Sequence, residues 1–287
     1  MRRSRLSLSM FTALLLYLGI NYTVAQASQT TATASSTPLV IGESFTIASK
    51  VLGETRHINV YVARAWNTPP DAPLPVLYMP NGGIQEDFLH VAGLLQVSVA
   101  NGTMRPFMLV GIQNTQRRRD LTGPTDNPED RKIAPVVGGS AAYRSFIRDE
   151  LMPEVKRRYR TTQETAIVGE SLAGLFVVET FLLEPQLFDH YLAFDPSLWW
   201  NRSALPGQAA TLLAKQGPGK HSLYLASSSE KGIAIEVQRL EDILRKQAPA
   251  SLQWHVEKMP DESHGTIYQP AALKAFRTVF RPAITIN

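Results

Sequence analysis

The sequence predicts an α/β fold: one mostly parallel sheet of eight strands with helices on both faces. Three observations carry that expectation. Short apolar runs of strand length alternate with longer segments of helical periodicity from residue 75 onward, the pattern of repeated βα units. Two strand-like segments precede them with little between, as in a hairpin. The 287-residue chain with 44% hydrophobic content suits one large core rather than two small ones.

In chain order, Ser44 to Lys50, His57 to Arg64 and Pro75 to Met79 read as strands, and Gln85 to Val99 as a helix. Phe107 to Ile112 is the fourth strand. Tyr143 to Tyr159 has helical spacing, with Phe146, Leu151 and Val155 on one face. A strand around Ala166, Ile167 and Val168 leads into a helix after Ser171, followed by a strand at Tyr191 to Phe194 and a helix around Ala209 to Lys215. His221 to Ala226 and Leu252 to Met259 are strands flanking a helix at Ile233 to Lys246, and Ala271 to Phe280 closes the chain as a helix.

The first residues belong to a different regime. Arg2, Arg3 and Arg5 precede an apolar stretch, residues 6–20, and Ala25-Gln26-Ala27 offers a small-x-small cleavage site, the order of a secretory signal peptide over residues 1–27. The alternative, a retained membrane anchor, is disfavoured because the stretch falls short of the ~20 residues that span a bilayer. No stable membrane anchor is therefore expected after cleavage. Residues 28–38, rich in Ser, Thr, Ala and Gln, read as a disordered spacer, and the catalytic-type domain spans 39–287.

Cleavage would remove three of the four net positive charges, leaving a nearly neutral protein. A nucleic-acid partner has no support. The chain has no cysteine, which excludes disulfides and Cys-based structural zinc sites.

The most informative break lies in Gly169-Glu170-Ser171-Leu172-Ala173-Gly174, between an apolar strand and an apolar helix. A serine on such a turn projects its hydroxyl above the sheet, and small residues relieve the crowding. The Leu172 N–H, at the start of the helix, is the natural first donor to an oxyanion. The second glycine arrives one place later than in Gly-x-Ser-x-Gly. The alternative is that Ser171 only caps the helix.

A nucleophilic serine needs a base, and on this architecture the order is Ser, acid, His. Of six histidines, His264 alone falls in a loop after the last strand. For the acid, Glu230 after the seventh strand is the first choice and Asp195 after the sixth the competitor, with a Ser–His dyad as a third option.

Six stretches, VLYMPNGG, VGIQNTQRRRDLTG, GGSAAYRSFIRDELMPEVKRRYR, IVGESLAGLF, FDPSLWWN and ESHGT, together resemble the esterase D-like branch of the α/β hydrolases, in particular the IroE-like siderophore esterases. The resemblance runs over most of Val76 to Phe280 and implies the α/β-hydrolase fold. It also implies Ser171 as nucleophile, His264 as base, and a second oxyanion donor in Asn81-Gly82-Gly83, which we place at Gly82. The family's usual Asp-Gly pair is altered there by Asn81. Arg117, Arg119 and Asp120 match the family's Arg-x-Arg-Asp signature. The arginines either meet a substrate anion or form a structural ion pair. Trp199 and Trp200 either wall an aromatic pocket or fill the core.

The expected protein is an exported, periplasmic serine esterase acting on a small-molecule ester or lactone, of siderophore type, without metal or organic cofactor. An acyltransferase on the same fold and a noncatalytic binding module are the rivals.

Overall fold

The computed structural model describes residues 36–282 apart from Asn67 and Pro218. The signal-peptide segment and residues 28–35 of the spacer lie outside the described residues, and a compact unit begins at Val40.

The hairpin of β1 (Glu43–Ser49) and β2 (Glu54–Val62) is antiparallel, and Gly53, at a φ of +66°, closes its turn. From β2 the sheet continues through β4 (Met108–Ile112), β3 (Leu74–Pro80), β5 (Thr161–Glu170), β6 (His190–Phe194), β7 (Ser222–Ser227) and β8 (Gln253–Lys258) in spatial order β1-β2-β4-β3-β5-β6-β7-β8. β2 meets β4 antiparallel, and every later pairing is parallel. All residues of β3, β4 and β7 are buried. Their unbroken apolar runs fit strands covered on both faces.

Helices α1 (Phe88–Ala100) and α9 (Tyr268–Val279) cover one face, packing Val91, Leu95, Ala271 and Phe276 on Leu77, Leu109 and Val168. The opposite face carries α4 (Ser140–Phe146), α5 (Met152–Arg158), α6 (Leu172–Leu183), α7 (Trp200–Ala214) and α8 (Lys231–Gln247). Burial of these two faces is the main stabilising term.

Several boundaries differ from the sequence expectation, for local reasons. The helix expected from Gln85 starts at Phe88, because Gly83 N–H bonds to Glu86 Oε2 at 2.7 Å and Glu86 N–H returns to Gly83 O, forming a turn first. The helix expected over Tyr143 to Tyr159 widens into a π turn at Ile147–Leu151, just before Pro153, whose missing N–H cannot continue the regular ladder. Its Phe146, Leu151 and Val155 are all fully buried. Two short helices were not expected: α2 (Arg117–Leu121) and α3 (Pro128–Ile133). α7 begins earlier than Ala209, at Trp200, and is kinked near its start by left-handed Asn201, Arg202 and Ser203, a turn that Asp130 holds by accepting the Asn201 N–H at 2.9 Å.

Candidate active site

The parallel sheet delivers its chemistry to one edge. Asn81 follows β3, Arg117 follows β4, Ser171 follows β5, Asp195 follows β6, Ser228 follows β7 and His264 follows β8, all beyond carboxyl ends of strands.

Ser171 separates β5 from α6 with φ 61° and ψ −121°. A non-glycine residue there is strained by about 1–3 kcal/mol. Three backbone bonds hold it: Ser171 N–H to Phe194 O at 3.0 Å, and Leu175 and Ser197 N–H to Ser171 O at 2.9 and 3.1 Å. The turn is possible because its neighbours are small. A Cβ on Gly169 would lie 2.6 Å from the Ala173 carbonyl carbon, and one on Gly174 would lie 3.0 Å from Phe194 O. The displaced second glycine of the motif therefore sits where β6 leaves no room for a side chain.

Ser171 Oγ lies 3.0 Å from His264 Nε2, and His264 Nδ1 lies 2.9 Å from Asp195 Oδ2. Asp195 is fully buried, and Ser228 anchors both of its oxygens: the backbone N–H donates to Oδ1 and the hydroxyl to Oδ2, each at 2.6 Å. The loop bearing His264 is tied to the β7 loop by Ser229, whose N–H and hydroxyl both donate to Glu262 O, at 2.9 and 2.8 Å. The Asp195 hydrogen bond, together with the charges of Glu170, Asp195 and, least of these, Glu230, raises the His264 pKa above its ordinary value against the opposing effect of burial.

Glu230 does not occupy the place expected of it. It is exposed at the head of α8, its N–H donates to Ser228 Oγ at 3.1 Å, and the imidazole's partner is Asp195. The β7 loop contributes Ser228 instead, a residue the sequence reading passed over.

Gly82 is also displaced from its expected role. Its N–H is committed to Ile112 O at 2.9 Å, and a Cβ there would come within 2.2 Å of Gly111 Cα, so glycine is required for close approach of β3 and β4. The N–H groups of Asn81 and Leu172 meet no acceptor among the described residues. Asn81 is buried at a φ of +58°, and Leu172 opens α6, where helix geometry leaves the first N–H groups without partners.

Of the two candidate arginines, only Arg117 turns toward the site. Its Nε donates to Asn81 Oδ1 at 3.0 Å, burial lowers its pKa, and the charges of Glu170 and Asp87 oppose that effect. Arg119 instead belongs to a cluster beneath the loop: Nε donates to Asp120 Oδ1 at 2.7 Å, and Nη1 and Nη2 donate to Glu54 at 3.1 and 2.7 Å. Fully buried Arg56 completes that cluster, donating to Asp120 Oδ2 at 2.6 Å. The tryptophans divide likewise. Trp200 is a core residue, 5% exposed, with Nε1 donating to Gly123 O at 2.9 Å, whereas Trp199 is 36% exposed on the loop that leaves Asp195.

Among the described residues there is no group of three or more His, Asp or Glu side chains able to hold a metal ion, and no helix long and apolar enough to cross a membrane.

An eight-stranded sheet of this order, with a strained serine after β5 and a histidine after β8, defines an α/β hydrolase. The chain belongs to the esterase family whose model is described as "Putative esterase", matched over residues 49–265. Ferri-bacillibactin esterase BesA of Bacillus subtilis is 29% identical over 167 residues, 52% of this chain and 56% of that protein. The siderophore enterobactin esterase of Emericella nidulans is 33% identical over 196 residues, 56% of this chain and 64% of that protein. Each match covers less than two thirds of the relative's length. Among solved structures, the IroE-like serine hydrolase from Shewanella oneidensis aligns with a TM-score of 0.75 and 25% identity, over 83% of this chain and 80% of that one.

Proposed function

We propose that this protein is a serine esterase in which Ser171, His264 and Asp195 form the catalytic relay. The observation that carries the reading is the continuous hydrogen-bond chain from Ser171 Oγ through His264 to Asp195, at 3.0 and 2.9 Å. His264 Nε2 takes the Ser171 proton as Oγ attacks the ester carbonyl, then returns it to the departing alcohol. Water repeats the sequence on the acyl-enzyme, giving acid and free enzyme. Asp195 accepts a hydrogen bond from Nδ1–H, fixing the tautomer that leaves Nε2 free to act as base. The oxyanion is received by the N–H groups of Leu172 and Asn81, which are directed by the elbow and the β3 turn and have no internal acceptor.

The substrate class we propose is a siderophore ester or lactone, in keeping with the relatives named for ferri-bacillibactin and enterobactin. Arg117 supplies a cation and Trp199 an exposed aromatic face at the same edge of the sheet, suited to an anionic aromatic acyl group. Export to the periplasm is part of the proposal and rests on the arginine-led apolar stretch over residues 1–27. Hydrolysis is favoured over acyl transfer because the relatives are named esterases. Specificity constants for a catecholate trilactone, a feruloyl ester and a short-chain ester test the substrate class. We expect the trilactone to be preferred by at least tenfold, about 1.4 kcal/mol; equal constants for all three refute that assignment.

A further inference from the structure

Glu170, the residue before the nucleophile, is used by neither the relay nor the oxyanion donors, yet it stands beside both. Its Oε1 lies 3.3 Å from His264 Nε2, the same nitrogen that faces Ser171 Oγ, and its side chain is 14% exposed. Among the described residues its carboxylate makes no other polar contact within hydrogen-bonding or ion-pairing distance. A carboxylate in that setting normally has several partners. Here its nearest one is the catalytic base.

We propose that Glu170 is a positioning residue that competes with Ser171 for His264 Nε2 and thereby sets the pH at which the base becomes available. This inference rests on the esterase reading above.

The groups facing Glu170 come from every element around it: Asp87 ahead of α1, Arg117 at the start of α2, Asp195 after β6, His264 after β8 and Tyr268 at the start of α9. Burial is the largest influence and pushes its carboxyl up to about 7; His264 and Arg117 work against burial, while Asp87 and Asp195 add to it. The Tyr268 hydroxyl is buried and unpartnered, so it offers the carboxylate no compensating bond. Burial raises the Glu170 carboxyl and the neighbouring carboxylates raise the His264 imidazole, so the two form a coupled pair. When the pair holds one proton, that proton resides either on Glu170, leaving a neutral imidazole able to accept from Ser171, or on Nε2, giving an ion pair in which the base is blocked. An ionised Glu170 favours the second state. Its charge raises the His264 pKa, so removing that charge must lower it and extend activity toward acid.

The test is the pH dependence of labelling by a fluorophosphonate probe, which reports Ser171 nucleophilicity without requiring the natural ester. For Glu170→Gln we expect the acid midpoint to fall by about half a unit to one unit. Glu170→Asp, which keeps the charge but shortens the reach, should fall by less in the same direction, and it serves alone if the glutamine variant does not fold. A purely structural role would change the plateau rate and leave the midpoint in place. Unchanged midpoints in the folded variants overturn the inference while leaving the esterase reading intact. Wild-type protein that resists the probe at every pH overturns both.

Discussion

Asp195 and His264, 69 residues apart in the chain, meet at 2.9 Å between Oδ2 and Nδ1. The contact is set by the sheet rather than by either loop alone. β6 and β7 pair in parallel up to Phe194 and Ala226, and Asp195 N–H then donates to Ala226 O at 2.9 Å. Ser228, two residues past Ala226 and just beyond the end of β7, is thereby placed to bind both oxygens of Asp195. The Asp195 backbone takes a positive φ, 42°, and its carboxylate is held by Ser228 as well as by the imidazole.

That geometry ranks the acids. Asp195→Asn presents an amide to Nδ1 and disfavours the productive tautomer, so turnover of a short-chain ester should drop by roughly 10⁴-fold with little change in KM. Glu230→Gln removes only an exposed charge at the head of α8 and should change turnover less than about threefold. Steady-state kinetics on the two variants side by side decide the matter. A greater loss in Glu230→Gln would return the role to that residue.

The tryptophan pair separates stability from specificity. Trp200→Ala opens a cavity and leaves Gly123 O without its donor, and should cost about 3–5 kcal/mol by chemical denaturation. Trp199→Ala, on an exposed side chain, should lose only a small fraction of that. Its effect should appear as a lower kcat/KM for aromatic acyl esters than for aliphatic ones. Equal losses for both acyl types would remove Trp199 from the substrate site.

The ion cluster of Glu54, Arg56, Arg119 and Asp120 predicts an acid-sensitive contribution to stability. The hydrogen bond from Arg119, joined by those from Thr115 and Arg56, outweighs burial and holds the Glu54 carboxyl at about 2, below its ordinary 4.5. A lowered folded-state pKa gives stability that is complete above the unfolded value and lost as pH falls from about 4.5 toward 2. Thermal melts across that window should therefore fall more steeply for wild-type protein than for Glu54→Gln. Parallel curves would show that the cluster adds no acid dependence.

Much of this architecture was legible in the chain because one-dimensional signals coincide with it. β3, β4 and β7 are buried on both faces and read as unbroken apolar runs. The crowding around Ser171 needs Gly169 and Gly174, and His264 lies in a loop beyond the last strand. What the chain did not disclose is which of two neighbouring side chains turns inward. Arg117 and Arg119 sit two places apart on α2, about 200° around the helix, so one reaches Asn81 and the other Glu54. Asp195 and Glu230 both follow strands at the same edge, and only the pairing of β6 with β7 brings the first to the imidazole. The Gly82 N–H was lost to Ile112 O through the β3–β4 ladder, a tertiary bond with no local signature.

The central claim is that Ser171 is the nucleophile, and mass spectrometry of fluorophosphonate-treated protein, read together with turnover, tests it most directly. The account predicts one adduct, on the peptide containing Ser171, no adduct in Ser171→Ala, and a loss of turnover of roughly 10⁶-fold in that variant. Ester hydrolysis persisting in Ser171→Ala, or an adduct on another residue accompanied by inactivation, would contradict it.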